Sequence, residues 1–380
     1  MKKLLLFARD PGGANVILPI YEKIKEQYEV LAYAREFAWK RLADAGLPAR
    51  NIDKECATLT YADIKNFLKR QKPDLVITGT SLDDFTERYL WKASEELHIK
   101  SFAILDQWMN LGIRFSDCDY SQEERYRRDR RHPYLPYRIL AMDELAGELL
   151  KEDGIHAEKI ALTGQPHFDT VRERFQHAAQ VYGSDKWNVV FASEPIYRNY
   201  DCCDGTKRYW GYNERTIFDN LYDCLLKAAA NAPGQIRLII RPHPREDREY
   251  WDALADKLNN AGITLAVDSE NDSFSALKSA DLVCGMSSMF LLEAMICGKQ
   301  VVSVAIGLKR ENPFVLDKTG QCKSVLSEED LQERIAQAFR QRGVVNSENS
   351  WKRACRIGYP KGVVNATDKV LQLIEEEMTE

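Results

Sequence analysis

No stretch limits the fold of this chain more than Ala280–Val304, which reads ADLVCGMSSMFLLEAMICGKQVVSV. A short apolar run, Leu282–Cys284, ends in Gly285-Met286-Ser287-Ser288. A helix-patterned stretch follows at Phe290–Ile296, Gly298 stops it, and a second buried-type run occupies Val301–Val304. The order predicts a strand, a small-residue turn, a helix and a strand. At the turn, Gly285, Ser287 and Ser288 let backbone N–H groups and hydroxyls converge at a helix N-terminus, where the peptide dipole and unpaired donors favour phosphate. Glu293 falls about a turn and a half into that helix, from where its carboxylate can reach back toward a bound sugar or ribose. An ordinary strand-to-helix connection with a serine cap gives the same spacing, so the reading depends on what the rest of the chain carries.

The first half repeats this alternation. Lys3–Ala8 reads as a buried strand, Asp10–Asn15 (DPGGAN) as a loop and Val16–Gln27 as a helix. That is the opening of a doubly wound unit, in which ligands are expected at the carboxyl ends of the strands. Gly12-Gly13-Ala14 lacks a full GxGxxG fingerprint, so a nicotinamide site is not expected. Tyr28–Tyr33, Asp74–Thr78, Ser101–Leu105, Ile139–Ala141 and Lys159–Leu162 read as further strands. Arg35–Ala45, Thr60–Gln71, Glu87–Leu97 and Met142–Asp153 read as helices, and His167 opens another. Repeated units of this kind argue for an α/β chain with a parallel sheet covered on both faces.

Three strand ends then share one rim: Asp10–Asn15, Thr78–Ser81 and Asp106–Trp108. An acid placed directly after an apolar strand is either a cap or a catalytic group. Asp10 and Asp106 rank equally as a general base, since a partly desolvated carboxylate can be tuned toward neutral pH. Glu123–Arg138 breaks the alternation with five arginines in seven positions. It reads as a solvated loop or, more sharply, as a cationic, tyrosine-bearing loop on the acceptor side that includes Arg128 and meets a phosphorylated or lipid-linked acceptor or a membrane surface.

Composition narrows the class. With 380 residues, 44% hydrophobic and 29% charged, the chain is large enough for two domains. A net charge of -5 and a pI near 5.9 give no reason to expect nucleic acid. Nine cysteines, with no CxxC pair, make disulfides and structural zinc unexpected and fit a reducing cytoplasm. The opening MKKLLLFARDPGG is too short in its apolar run for a signal-peptide core, and no stretch approaches the ~20 apolar residues of a membrane span.

The second half restarts at Trp187–Ala192, a strand ending in Ser193-Glu194-Pro195. Ile196–Tyr212 is an aromatic loop holding Cys202, Cys203 and Gly205, to which no metal is assigned, and Glu214–Asn231 is an amphipathic helix. Arg237–Ile240 is a strand ending in Arg241-Pro242-His243-Pro244. A proline on each side fixes the backbone of His243, and Arg241 offers a bidentate fork to a diphosphate. Phe274–Lys278, Ser327–Arg342 and Lys361–Glu377 read as helices, the last with an apolar stripe of Val363, Val364, Val370, Leu371 and Ile374.

Ile160-Ala-Leu-Thr-Gly-Gln-Pro-His-Phe-Asp169 resembles the TGNPxxD segment that closes the first domain of GT-B-fold nucleotide-sugar enzymes. RPHP resembles the RxHP motif of the CDP-glycerol glycerophosphotransferases and the HP motif of some bacterial sialyltransferases. The same superfamily includes UDP-N-acetylglucosamine 2-epimerases and lipid-linked sugar transferases, and the order of motifs agrees over nearly the whole chain. The resemblance implies two Rossmann-like doubly wound domains facing a cleft. Residues 1–170 form the acceptor side, 171–186 the hinge and 187–350 the nucleotide-donor side, while 351–380 form a C-terminal helix crossing back to the first domain. Gly12, Gly13, Ser193, Arg241, His243, Ser269, Gly285, Ser287, Ser288 and Glu293 are then expected on the nucleotide side. Asn15, Ser81, Trp108 and Arg128 are expected on the acceptor side, and Asp10, Asp106 and His243 at the reaction.

The expected activity is metal-independent and cofactor-free glycosyl transfer from a UDP-, CMP- or CDP-linked sugar to a glycan or lipid-linked acceptor, in the cytoplasm or at the inner membrane face. Polyol-phosphate transfer, UDP-sugar 2-epimerisation and a non-catalytic nucleotide-sugar-binding scaffold are the alternatives. An HGD-type segment of the epimerases is not found, and Asp106-Gln107-Trp108 stands in a similar place.

Overall fold

The structure, a computed structural model, describes residues 1–201, 209–230, 234–258, 262–269, 272–341 and 357–379. The chain divides into two compact units, Met1–Thr170 with Arg356–Glu380, and Val171–Cys355.

Unit 1 is built on seven parallel strands: β1 (Lys3–Ala8), β2 (Glu29–Ala34), β3 (Arg50–Asn51), β4 (Leu75–Thr78), β5 (Lys100–Ile104), β6 (Arg138–Ala141) and β7 (Ile160–Leu162). They lie in the order β3-β2-β1-β4-β5-β6-β7. Beyond Lys3, β1 is apolar because both its faces are covered. Leu4 and Leu6 pack with Val16, Ile17, Ile20 and Ile24 on one side, and Leu5 and Phe7 pack with Ile64, Phe67, Leu68 and Leu90 on the other. Winding runs outward in both directions from β1 and β4, so their carboxyl ends form the switch point where ligands collect in such sheets.

Two predictions for this unit need correction. The first helix runs Pro11–Ile24, so Pro11, Gly12 and Gly13 form its first turn rather than a loop. Proline suits that position, because its fixed φ is helical and its missing N–H is not needed there. The arginine-rich run folds at its start into a short helix, Glu123–Asp129, and three of its arginines pair with nearby acids. Arg125 pairs with Asp117 at 2.6 Å, Arg127 with Glu123 at 2.5 Å and Arg128 with Asp129 at 2.8 Å.

The C-terminal helix, Ala366–Thr379, belongs to unit 1, where Val370 and Ile374 complete the core over Leu4 and Leu6. Asp169 caps it from outside. Its Oδ1 accepts from Tyr359 Oη (2.8 Å) and the Ala366 N–H (3.1 Å), and its Oδ2 from the Thr367 N–H (2.7 Å) and Oγ1 (2.6 Å). A carboxylate at a helix N-terminus both satisfies orphan donors and meets the positive end of the dipole. At the far end Glu377 pairs with Lys100 at 2.8 Å. Val363 and Val364 precede the helix, and Val364 is 92% exposed, so the expected stripe begins at Val370.

Unit 2 has five parallel strands, β8 (Trp187–Ala192), β9 (Ile236–Arg241), β10 (Ile263–Val267), β11 (Leu282–Gly285) and β12 (Gln300–Ser303), in the order β10-β9-β8-β11-β12. Its switch point lies between β8 and β11. The stretch Ala280–Val304 forms β11, a helix Met289–Ile296 and β12, and the helix Glu214–Ala229 packs Ile217, Phe218 and Leu221 into the core. In the aromatic segment, Tyr197–Asp201 makes a π-helical turn. Cys202, Cys203, Gly205, Asn231, Arg342 and Cys355 lie outside the described residues. Among the described residues, no helix is long and apolar enough to cross a membrane.

Candidate functional site

In unit 1 the carboxyl ends of β1, β4 and β5 bring charged groups into a tight arrangement. Arg9 bonds Asp83 and lies 2.7 Å from Glu36 and 3.4 Å from Asp10. Burial opposes its charge, but these three carboxylates together hold its guanidinium firmly protonated. Asp10 occupies the cap position of the Pro11–Ile24 helix without a side-chain cap bond.

Asp106 sits directly over the first turn of that helix. A Cβ added at Gly12 would lie 1.8 Å from Asp106 Oδ2, and one at Gly79 would lie 2.6 Å from Gly13 Cα. The double glycine is thus set by two close approaches, one of a carboxylate and one of the β4 end. Behind Asp106, the buried Arg114 stands 3.6 Å from Oδ1 and donates to the Thr80 carbonyl at 2.5 Å and Thr80 Oγ1 at 3.0 Å.

The acceptor-side candidates take varied places. Asn15 accepts from Arg41 Nε at 3.1 Å. Trp108 is buried, donates from Nε1 to Asp143 at 2.9 Å and stacks with Phe168. Arg128 is exposed and paired with Asp129. Ser81 is buried, and its N–H donates to Glu87 Oε2 at 3.1 Å.

Glu87 is a rim residue that sequence reasoning missed. It is 1% exposed, and its carboxyl is pushed up to about 8, first by burial and then by Asp10 and Asp84. The signal for it was an acid in the first turn of the helix, Thr86–Glu96, that follows the Gly79-Thr80-Ser81 strand end.

In unit 2 the ends of β8, β9 and β11 come together. His243 accepts at Nδ1 from the Arg245 N–H at 3.1 Å, which leaves the proton on Nε2. Burial first, and then Arg245 and Arg241, push its imidazole down to about 3, so at neutral pH it is an uncharged Nε2–H donor. Arg241 is braced by a bond to the buried Asp268 and lies over the Phe290 ring.

Ser287 and Ser288 stand at the N-terminus of Met289–Ile296, with Ser288 Oγ capping the Phe290 N–H at 3.2 Å. Their donors are engaged by Glu194, the second residue missed by sequence. Glu194 Oε1 takes the N–H groups of Ser287 (2.6 Å) and Ser288 (2.9 Å), and Oε2 takes Ser287 Oγ (2.8 Å). Burial raises this carboxyl while the serine bonds pull it back. Gly285 is needed close by, since a Cβ there would lie 2.9 Å from the Ala192 carbonyl oxygen. Ser193 is buried and donates from Oγ to Glu246 at 2.6 Å, Glu293 is buried within its helix, and Ser269 is exposed. Among the described residues, no group of three or more His, Cys, Asp or Glu is arranged to hold a metal ion.

No protein-family model matches this sequence, and no curated protein does. Solved structures do match over the whole chain. A putative UDP-N-acetylglucosamine 2-epimerase from Listeria monocytogenes aligns with TM-score 0.68 at 15% identity, covering 100% of this chain and 97% of that one. The UDP-GlcNAc 2-epimerase from Neisseria meningitidis bound to UDP-GlcNAc aligns with TM-score 0.62 at 16% identity, covering 99% and 100%. The Methanocaldococcus jannaschii enzyme in complex with UDP-GlcNAc and UDP gives 0.61 at 16%, covering 98% and 99%. The chain therefore has the GT-B-like fold of these nucleotide-sugar enzymes, with two Rossmann-like units.

Proposed function

We propose that this protein is an enzyme that acts on a UDP-linked sugar, and that 2-epimerisation of the sugar is the reading to place ahead of glycosyl transfer. The solved structures of this fold, two of them holding UDP-GlcNAc, support that order. The observation that carries the nucleotide assignment is His243, fixed as a neutral Nε2–H donor beside Arg241 at the end of β9. A neutral donor and a braced guanidinium suit a diphosphate that gains charge as its bond to the sugar weakens.

In this reading Arg241, His243, Ser287 and Ser288 hold the diphosphate, with Gly285 admitting the close turn and Ser193, Ser269 and Glu293 nearer the nucleoside. Inversion at a sugar carbon needs a group to remove a proton and a group to return one. Asp10 and Asp106 take those roles, with Glu87 behind them.

Transfer to a glycan or lipid-linked acceptor remains a second reading, favoured by one observation. Asp106-Gln107-Trp108 stands where the HGD-type epimerase segment is missing, and an acid at that rim can deprotonate an acceptor hydroxyl.

Incubation with UDP-GlcNAc in deuterated water, and with CMP- and CDP-linked donors in parallel, separates the readings. Epimerisation gives an intact UDP-sugar of altered configuration carrying deuterium at the inverted carbon. Free nucleotide released only when an acceptor is added gives transfer. A chain that binds none of these nucleotides loses the proposal altogether.

A further inference from the structure

Glu246 in unit 2 collects donors from three separate elements. Its Oε1 accepts from Ser193 Oγ, just past β8, at 2.6 Å and from Trp251 Nε1, in the helix Arg248–Leu258, at 3.1 Å. Its Oε2 accepts from the backbone N–H of His243, just past β9, at 2.6 Å, and the Glu246 N–H returns a bond to the His243 carbonyl at 2.9 Å. The turn that carries the imidazole is thus closed from both ends by one residue.

The chemistry demands a carboxylate. A backbone N–H and an indole N–H can only donate, so both oxygens at position 246 must accept. A carboxamide in either orientation would point its own NH2 at one of those two donors. Burial pushes the Glu246 carboxyl upward, and its bonds from Ser193, His243 and Trp251 and the nearby Arg215 draw it back toward the ionised form. Glu194 lies close enough for its carboxyl to feel the Glu246 charge.

We propose that Glu246 is a positioning residue of the nucleotide-phosphate rim, which sets the direction in which His243 presents its Nε2–H by holding the His243 backbone and the Ser193 hydroxyl on one rigid acceptor. This rests on the proposed function, in which His243 meets a nucleotide phosphate.

Long-range 1H–15N spectra of the histidine-labelled full chain read the His243 ring without any ligand. In the native protein the ring stays in the neutral Nε2–H form from about pH 5 to pH 8, across the range where an ordinary histidine titrates. In Glu246→Gln it titrates within that range or mixes tautomers, and UDP affinity measured by calorimetry falls about tenfold. Adding Trp251→Phe to Glu246→Gln removes one donor, so a carboxamide with its oxygen toward His243 satisfies the remaining two. The double variant regains the native ring signals and most of the UDP affinity, and it carries the same reading should the single variant not fold.

Unchanged His243 signals in Glu246→Gln, or a double variant that folds without regaining them, overturn the proposal. A native chain that shows the fixed ring but takes up no UDP refutes the nucleotide reading instead, while the spectra still decide the role of Glu246.

Discussion

The Glu194 carboxylate grips Ser287 twice, taking its backbone N–H at 2.6 Å and its hydroxyl at 2.8 Å. These are the donors assigned to phosphate, so the protein's own anion holds the place a diphosphate would take at the helix start. Glu194→Ala should free them at the cost of three internal hydrogen bonds, two to Ser287 and one to Ser288. UDP affinity is expected to rise several-fold, on the order of 1 kcal/mol. Calorimetry showing weaker UDP binding in the variant would make Glu194 a support of the turn and not a competitor.

His243→Ala should weaken UDP binding by about tenfold or more, since a hydrogen bond to a charged group is worth about 1.5–3 kcal/mol. Asp106→Asn or Asp10→Asn should leave UDP affinity near native while turnover collapses. If both carboxamide variants keep full rate, the acid–base groups lie elsewhere.

Gly12→Ala tests the placement of Asp106 without touching its chemistry. The added methyl would lie 1.8 Å from Oδ2, so the carboxylate must move. Turnover should fall by about a hundredfold, the scale of a displaced catalytic group, with little change in UDP affinity. A fully active Gly12→Ala enzyme would remove Asp106 from the reaction.

Glu87 gives a pH signature. Its carboxyl is raised in the folded chain to about 8, so the folded state binds a proton more tightly than the unfolded one does. Its stabilising contribution is complete below the ordinary glutamate range, about pH 4.3, and is lost as pH rises toward 8. Urea denaturation of the native chain should show stability falling across that window, and Glu87→Gln should flatten the slope. Parallel curves for the two proteins would assign the slope to other groups.

Asp169→Ala should destabilise the chain by about 2–4 kcal/mol, because four donors lose one charged acceptor at the start of a core helix. Denaturant midpoints measure this directly. A loss under about 0.5 kcal/mol, the level of an ordinary surface change, would mean that Val370 and Ile374 alone hold the helix.

Much of this architecture was legible because apolar strands buried on both faces stand out against their flanks. Leu4–Ala8, Val189–Ala192 and Leu282–Cys284 read as apolar runs, and the helix Met289–Ile296 was bounded by Ser288 and Gly298. The first turn at Pro11–Gly13 was not legible. Its glycines answer to Asp106 and Gly79, residues far along the chain, and a single sequence carries no trace of those approaches. The acids Glu87, Glu194 and Glu246 were missed for the same reason. Each acquires its role from donors supplied by other segments, and as isolated glutamates after a strand or in a first turn they resemble any solvated acid. The arginine-rich run read as a loop, yet its first part is helical, and Arg125, Arg127 and Arg128 pair with Asp117, Glu123 and Asp129, acids whose partnership no period in the sequence announces.

The helix Ala366–Thr379 closes the core of a unit whose sheet lies wholly before position 171. During synthesis, the amino-terminal sheet must therefore wait, one apolar flank uncovered, while the intervening unit is translated and folds. Premature termination anywhere in the second unit would leave the first with a complete sheet but one bare, aggregation-prone flank, so loss of a few carboxyl-terminal turns should harm solubility through the opposite end of the gene product.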